Sequence, residues 1–548
     1  MPHIYLDVRC FIREPSATSL NGPAQFTRGK GNSGAIVNRQ TSLFYGAPTV
    51  LIGLHLLLAL LAAGCSTLQP LNLPEETSLP PARTMSWNEL TAVRSDNWLH
   101  LLNSGREAID WRLRLIDSAT VSLDLQTFLW NKDRTGLTIL RHIYEAANRG
   151  VRVRILLDDS FTATHDKAIL NIDRNPNIEL RIYNPYARRS NSMIIRELLN
   201  IGDFSRVDHR MHNKAIIVDN RAAIIGGRNL ADEYFGHHGE MNFRDFEVLT
   251  AGSAILDLSR QFDEYWNNNW SFPIGLLEPS ESKNIGTEFE SWLKNNAKKG
   301  LLESPATRQQ IWLEVARAGV SGEILVIADE PAADNPAAKD EQPIQLAQEL
   351  NLRIESAQDE VILVSAYLIP TPELEQVIEQ AEDRGVQVRV LTNSLRSNNH
   401  TAAHSAYRHH VRRLVGHGAE VHEVRTFARD RELYMEKPVG QKHLGLHGKM
   451  LIIDDDLTYI GSANLDPRSL RINTEMGLIV RSVEFNSLVR QALAIDLLPH
   501  NAWYLQLNDN GKLSWNGGDV ILHDLPAESE LQRLEDWFLS ILPIEDEM

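Results

Sequence analysis

The fold of this chain is decided by two stretches, His212-Asn213-Lys214-Ala215-Ile216-Ile217-Val218-Asp219 and Gly226-Gly227-Arg228-Asn229, because both return later in the sequence. The second copy reads His447-Gly448-Lys449-Met450-Leu451-Ile452-Ile453-Asp454, followed by Gly461-Ser462-Ala463-Asn464. Each copy has the form His-x-Lys-x4-Asp-x6-Gly-x2-Asn, so every motif residue has the same separation from its counterpart as His212 has from His447. In each copy, the apolar run after the lysine predicts a strand, the acidic residues predict a turn, and the next apolar run predicts a hairpin partner.

A second repeat with the same separation lies upstream of each motif. Asn148-Arg149-Gly150-Val151-Arg152-Val153-Arg154-Ile155-Leu156 matches Asp383-Arg384-Gly385-Val386-Gln387-Val388-Arg389-Val390-Leu391, and the two runs are as far apart as the two histidines. A repeat of this length indicates a duplicated domain. Helix and strand patterns alternate, which predicts an α/β protein with two pseudo-symmetric domains, each a mixed sheet flanked by helices. We place the first domain at 86–275, a helical and loop connector at 276–344, and the second domain at 345–548.

The repeated motif carries the residue types that phosphodiester chemistry needs. His and Lys two residues apart project from the same face of a strand, and Gly226 or Gly461 lets the returning backbone bring an Asn beside them. Lysine and amide groups bind phosphoryl oxygens, a neutral imidazole attacks phosphorus, and a protonated imidazole donates to the leaving oxygen. A single His-x-Lys would be interpreted as a solvated strand edge, but two complete copies at the register of an independent repeat oppose that interpretation. Since the reaction needs two imidazoles, we expect the halves to face each other with this catalytic set: His212, Lys214, Asn229, His447, Lys449 and Asn464.

The motif resembles the HKD signature of the phospholipase D superfamily, and the resemblance covers most of the chain after about residue 86. Segments 209–214, 226–235 and 262–267 look like the bacterial cardiolipin synthase C branch. The resemblance implies two phospholipase D-like domains with the active site at their interface. Gly227 stands where the superfamily usually has a Ser, which Ser462 keeps, and a Gly-Gly first motif is common in that branch.

The resemblance also implies the reaction, a phosphatidyl transfer through a phosphohistidine. It implies His212 as the nucleophile and His447 as the acid and base. Phosphatidylglycerol as acceptor gives cardiolipin, and this branch allows phosphatidylethanolamine as the second phospholipid. No metal or other cofactor is expected.

Other acidic residues are predicted to support the site. Glu475 resembles the carboxylate that orients a catalytic histidine in this superfamily, and Asp245 is its candidate counterpart in the first half. We expect Asp219 and Asp454 to order the hairpin turns rather than to touch substrate.

The N-terminal residues 1–64 are predicted to be a signal or membrane-anchor segment. Basic residues precede an apolar run that ends Leu61-Ala62-Ala63-Gly64-Cys65, which resembles a bacterial lipobox with Cys65 as the lipidated residue. Ala62 stands where the lipobox prefers Leu, and an uncleaved membrane-spanning helix is the alternative. Either places the catalytic part in the bacterial cell envelope, attached to a membrane and outside the cytoplasm. Residues 65–85 are predicted to be a Pro-rich spacer.

Composition narrows the class of protein. The formal net charge of −17 disfavours a nucleic-acid partner, and two Cys in 548 residues exclude a disulfide scaffold and a cysteine-based zinc site. We therefore expect phospholipids and a membrane surface as partners. The alternatives are a phospholipase D that releases phosphatidic acid, a nuclease of the same superfamily, and a lipid-binding lipoprotein with a decayed site.

Overall fold

The computed structural model describes residues 68–162, 171–277, 286–301, 303–331, 344–542 and 545. The predicted signal or anchor segment at 1–64 and the predicted lipidation residue Cys65 lie outside these ranges. Within them, no helix combines the length and the apolar character needed to cross a bilayer.

The described residues form two large mixed sheets and a two-stranded sheet that joins the two halves. Most of the strands are short apolar runs bounded by turn residues. In chain order the strands are β1 (Trp98–Leu102), β2 (Ser122–Thr127), β3 (Arg152–Asp158), β4 (Ile178–Tyr183), β5 (Ala215–Val218), β6 (Ala222–Gly226), β7 (Met241–Arg244), β8 (Glu247–Ala251), β9 (Ser271–Pro273), β10 (Val320–Ser321), β11 (Glu323–Ala328), β12 (Glu360–Val364), β13 (Gln387–Asn393), β14 (Glu420–Val424), β15 (His443–Leu446), β16 (Met450–Ile453), β17 (Leu457–Gly461), β18 (Met476–Arg481), β19 (Ala502–Leu507), β20 (Leu513–Asn516) and β21 (Ile521–Leu522).

The two large sheets share one strand order. The first runs β10-β1-β8-β6-β5-β2-β3-β4-β9, and the second runs β11-β18-β17-β16-β12-β13-β14-β19-β20-β21. In each sheet three neighbouring strands, β2-β3-β4 or β12-β13-β14, are parallel. The strands that flank each parallel group are antiparallel to it. This order confirms the prediction of two pseudo-symmetric α/β domains with mixed sheets.

Helices connect the strands and cover the outer faces of the sheets. The helices Arg134–Asn148 and Pro372–Asp383 are equivalent crossover helices of the two halves. They begin alike, since Asp133 and Thr371 cap them by accepting a backbone N–H at 2.9 and 3.4 Å. Gly150 and Gly385 follow their last turns with φ of 94° and 87°, a conformation that favours glycine. The helices are α1 (Met85–Val93), α2 (Gly105–Ser118), α3 (Arg134–Asn148), α4 (Met193–Leu199), α5 (Phe204–Val207), α6 (Ile255–Trp266), α7 (Ile274–Leu277), α8 (Gly286–Asn296), α9 (Pro305–Ala318), α10 (Gln345–Ser356), α11 (Pro372–Asp383), α12 (Thr401–His417), α13 (Val483–Ala494) and α14 (Glu530–Leu539).

One apolar core lies between the two domains. Ile217 and Ile225 of the first sheet share this core with Ile452 and Ile460 of the second. Two further cores lie within the separate domains, where each sheet packs against its helices. Because the inner faces of both sheets are buried together, the two domains are held in a fixed relation, which the site requires.

The range 276–344, predicted as helices and loop, also contains two strands. Strand β10 pairs with the edge of the first sheet, and β11 pairs along its whole length with β18 of the second sheet. The connector therefore contributes to both sheets.

The part of the predicted spacer that the structure describes contains no helix or strand before α1, and it lies along the first domain. The Glu76 carboxylate accepts a hydrogen bond from Arg181 at 2.9 Å, and the Ser78 backbone N–H donates to Asp263 at 2.7 Å. These polar contacts fix the path of the chain up to α1.

Candidate active site

Each histidine motif is held by a segment of the opposite domain. The backbone N–H of His212 donates to the carbonyl of Thr474 at 2.9 Å, and the N–H of Thr474 donates to the carbonyl of Arg210 at 2.9 Å. On the other side β15 runs parallel to β7, and the His447 N–H donates to the Arg244 carbonyl at 2.8 Å. The catalytic histidines predicted from the sequence therefore lie where the two domains meet.

Two carboxylates cross this interface to reach the imidazoles. Glu475 of the second domain places both oxygens 2.9 Å from Nδ1 of His212. Asp245 of the first domain places Oδ2 2.7 Å from Nδ1 of His447. A carboxylate at Nδ1 accepts the proton there, so Nε2 is the nitrogen with a free lone pair in the neutral ring. The sequence prediction named both carboxylates but not their exchange between domains.

The two carboxylates are supported differently, which explains the Gly-Gly departure in the first motif. Ser462 Oγ donates to Glu475 Oε2 at 2.5 Å. At the equivalent Gly227, a Cβ would lie 3.0 Å from Cγ of Asp245 and closer still to Oδ1. The shorter Asp side chain therefore occupies the space that a Ser would need. The Ser462 hydroxyl supports Glu475. The first motif, with Gly227 at this position, therefore lacks a hydrogen bond to its carboxylate rather than a contact with substrate.

The lysine and asparagine side chains of both motifs are buried at the site. Lys214 and Lys449 each donate to the carbonyl of the histidine two residues earlier, at 2.5 Å. The amide nitrogen of Asn229 donates to the Tyr234 hydroxyl at 2.9 Å. Among the described residues, the amide oxygens of Asn229 and Asn464 have no hydrogen-bond partner. Each amide thus keeps hydrogen-bonding capacity for a ligand.

Aromatic rings that the sequence analysis did not select enclose the imidazoles. The Phe128 ring packs edge-on against His212, with ring centroids 4.8 Å apart. Tyr234 and Phe243 pack against His447 at 4.9 and 5.4 Å. These contacts limit rotation of both imidazoles and exclude water from their faces. Only the three-dimensional structure brings Phe128 and Phe243 to the site, since neither is part of the repeated motif.

Burial dominates the electrostatics of the site. It lowers the pKa of His212 to about 4, with the Lys214 charge acting in the same direction and Glu475 opposing. Burial and the two lysine charges hold the pKa of His447 well below its usual range. Burial also lowers the pKa of Lys214 to about 7 and that of Lys449 to about 8. For Glu475, burial alone would raise the pKa, but the neighbouring imidazole and ammonium bring it below its usual value.

The aspartates of the two motifs lie at the hairpin turns. The Asp219 carboxylate accepts from the backbone N–H groups of residues 120–122 at 2.7 to 2.9 Å and from Trp87 Nε1 at 2.6 Å. Asp454 accepts from the N–H groups of residues 358–360 at 2.8 to 3.2 Å. Both aspartates therefore tie their turn to the start of a neighbouring strand.

Two positioning residues were missed in the sequence. Asp158, at the end of β3, accepts the Met211 backbone N–H at 2.9 Å. Asn393, at the end of β13, accepts the Leu446 N–H at 2.8 Å and donates to the same residue's carbonyl at 2.8 Å. Each therefore holds the residue before a catalytic histidine. The two have the same separation in the sequence as the catalytic histidines, so the repeat register itself was the signal that could have found them.

The site as a whole combines two imidazoles, two ammoniums, two amides and two orienting carboxylates. Neutral imidazoles can attack phosphorus, and the ammonium groups can stabilise charge on the phosphoryl oxygens. Among the described residues no group of three or more His, Cys, Asp or Glu side chains is arranged to hold a metal ion. A paired site of this kind, at the interface of two such sheets, defines a phospholipase D-like phosphoryl-transfer enzyme.

Comparison with known proteins identifies the family. The family described as "Cardiolipin synthase, PLD-like domain" matches residues 113–266 and 350–496. Cardiolipin synthase C of Escherichia coli is 31% identical over 463 residues, covering 81% of this chain and 94% of that protein. An uncharacterized protein of Helicobacter pylori J99 is 32% identical over 468 residues, covering 81% of this chain and 88% of that protein. The chain belongs to the cardiolipin synthase family of phospholipase D-like proteins, and it is an enzyme of the phosphatidyltransferase class.

A solved structure supports the fold alone. The phosphatidylserine synthase of Haemophilus influenzae Rd KW20 superposes with a TM-score of 0.54 at 14% identity. The match covers 84% of this chain and 98% of that one, so it includes both domains.

Proposed function

We propose that this enzyme forms cardiolipin by transferring a phosphatidyl group between phosphatidylglycerol and a second phospholipid. Phosphatidylethanolamine is the second candidate lipid. In the first step Nε2 of His212 attacks the donor phosphorus, a nitrogen–phosphorus bond forms, and the bond from phosphorus to the headgroup oxygen breaks. His447 gives its Nε2 proton to the departing alcohol. In the second step His447 takes the proton from the acceptor hydroxyl, whose oxygen attacks phosphorus and releases His212.

The reciprocal carboxylate–imidazole pairs carry this proposal. Each fixes Nδ1 of one ring, so both Nε2 atoms are available for the two complementary roles. Glu475 also stabilises the positive ring that results when His212 bonds to phosphorus. Support for the lipid identities comes from the family and from the relative named cardiolipin synthase C.

The two imidazoles reach the protonation states that the reaction needs only when substrate binds. Burial and the two ammonium groups lower the pKa of both His212 and His447, so both rings are neutral at pH 7 before substrate binds. A bound phosphodiester brings one negative charge into the same buried space. That charge offsets the ammonium groups and raises the pKa of the nearby imidazoles. The ring that faces the leaving oxygen then gains the proton it must donate, while the ring held by Glu475 remains the nucleophile.

We further propose that the enzyme works at a membrane of the bacterial cell envelope. Cys65, when lipidated, or the apolar segment before it would attach the chain, and the catalytic domains would lie outside the cytoplasm. Sequence features alone support this proposal. Mass spectrometry of the mature N-terminus would test it, since a lipidated Cys65 and an uncleaved apolar segment differ in mass. A mature chain that has neither would contradict it.

The reaction is tested by the products formed from defined lipids. Purified enzyme in mixed micelles of phosphatidylglycerol and phosphatidylethanolamine should release ethanolamine or glycerol in step with new cardiolipin. The His212→Ala and His447→Ala variants serve as matched controls and should form none. Phosphatidic acid as the sole product would instead identify a hydrolase.

A further inference from the structure

An apolar pocket lies in the first domain beside the nucleophilic histidine. The empty space at this pocket, counted together with the open solvent at its mouth, is about 650 Å³. Its lining residues are predominantly aromatic and aliphatic and come from β2, α3, β3 and α8 and the segments beside them; they include Phe128, Trp130, Leu137, Leu140, Ile172 and Trp292.

The pocket and the active site share one aromatic ring. Phe128 forms part of the pocket wall, and it also contacts His212 at 4.8 Å between ring centroids and Lys214 Nζ at 5.4 Å from its centroid. The pocket therefore lies beside the His212 imidazole, with the Phe128 ring in contact with both.

Several polar groups of the pocket wall already have partners inside the protein. Trp130 Nε1 donates to the Gly136 carbonyl at 3.1 Å, and Asp158 accepts the Met211 N–H at 2.9 Å. Lys132 lies over the Trp292 ring, 4.8 Å from its centroid. The surface left for a ligand is hydrocarbon-like, and such a surface binds an apolar chain rather than ordered water.

We infer that this pocket holds one hydrocarbon chain of the phosphatidyl group that is bonded to His212. The inference rests on the proposed function, and it adds a donor acyl site to it. A phosphatidyl group carries its chains only a glycerol away from phosphorus, so a chain can enter the pocket while phosphorus stays at the imidazole. Each methylene that leaves water for such a surface contributes about 0.8 kcal/mol, or about fourfold in affinity.

Filling the pocket tests the inference. Leu137 lies on α3 at the pocket wall and is partly buried, so Leu137→Trp should displace part of the chain. Leu352→Trp is the matched control, since Leu352 is a 56% exposed leucine on α10 of the other domain. Each variant is assayed with phosphatidyl donors that carry either six-carbon or eighteen-carbon chains. Displacing two methylenes predicts that Leu137→Trp lowers kcat/KM at least about tenfold for the long-chain donor.

The short-chain donor separates this inference from the proposed function. Its kcat/KM should stay within about twofold in Leu137→Trp, and Leu352→Trp should change neither donor. Equal loss for both donors, or no loss for either, would overturn the acyl site. Failure of the unmodified enzyme to transfer either donor would overturn the proposed function instead. If Leu137→Trp does not fold, Trp292→Ala is used instead, because it removes a large side chain from the pocket wall. It should lower kcat/KM for the long-chain donor several-fold, and an unchanged ratio of kcat/KM between the two donors would overturn the inference.

Discussion

Gly227→Ser, which restores the usual residue of the superfamily, should slow this enzyme by about two orders of magnitude. The new Cβ would lie 3.0 Å from Cγ of Asp245 and closer still to Oδ1, well inside van der Waals contact. Asp245 would have to rotate away from His447, breaking the 2.7 Å hydrogen bond at Nδ1. Groups that orient metal-bound histidines are worth up to about 100-fold in activity, and we take the same factor here. We therefore expect kcat to fall by about 100-fold, or ~2.7 kcal/mol in the barrier, with KM little changed.

The second domain supplies both a control and a rescue. Ser462→Gly removes one hydrogen bond to Glu475 but creates no clash, so its kcat should fall by only about fivefold, the worth of ~1 kcal/mol. The double variant Gly227→Ser with Asp245→Glu copies the Ser462 and Glu475 pair into the first domain. We expect it to regain at least about tenfold of the lost kcat, because the longer side chain reaches His447 from beside the Ser. The assay is cardiolipin formation at saturating lipid, with thermal unfolding as the check on folding. A folded Gly227→Ser enzyme with near-normal kcat would refute the reasoning.

Three further predictions concern charge, stability and positioning. The pKa values of Lys214 and Lys449 are lowered to about 7 and about 8, so both side chains lose their charge as pH rises through this window. A pH profile of kcat/KM should therefore fall above pH 7 to 8, and a flat profile to pH 10 would contradict the role of the two lysines. Asp219→Ala should lower the free energy of unfolding in denaturant titration by about 3 kcal/mol, because it leaves the buried Ser122 N–H and Trp87 Nε1 unpaired. The kcat per folded molecule should stay normal, and a large loss of kcat would place Asp219 in the chemistry. Asp158→Ala and Asn393→Ala should each lower kcat about tenfold at unchanged KM in steady-state assays, and a pure KM effect would exclude a positioning role.

The residues that repeat could be predicted from the sequence, because their spacing is fixed by local strand and hairpin geometry. His212 and His447 have the same offset as two strands outside the motif, which predicted both the duplicated fold and the paired site. The turn aspartates followed from the same geometry. What the spacing does not contain is the relation between the domains. That Glu475 reaches His212 and Asp245 reaches His447 depends on how the two sheets pack, so no local pattern reveals it.

Two other features, the place of strand β11 and the contacts of the spacer, were not predicted from the sequence. Strand β11 has the same place in the second sheet as β1 has in the first, since β11 pairs with β18 as β1 pairs with β8. The separation between β1 and β11 is shorter than the separation between the two histidines, so the repeat does not reveal β11, and the sequence predicts a connector over residues 276–344. The prolines of residues 65–85 predict a spacer. Its Glu76 and Ser78 nevertheless form hydrogen bonds with the first domain, and Leu68, Leu71 and Ala82 pack against apolar cores.

The most direct test of the central claim is to trap the phosphatidyl group on the enzyme. A donor with a nitrophenol leaving group needs no proton for the first step, so His447→Ala should form the intermediate and then stall. We expect a burst of one nitrophenol per active site, with the phosphatidyl mass on the peptide that carries His212 after an alkaline quench. His212→Ala should show neither the burst nor the mass. A phosphatidyl adduct on the His212→Ala protein would contradict the assignment of the nucleophile, and the absence of any adduct from both variants and the unmodified enzyme would contradict the phosphohistidine route.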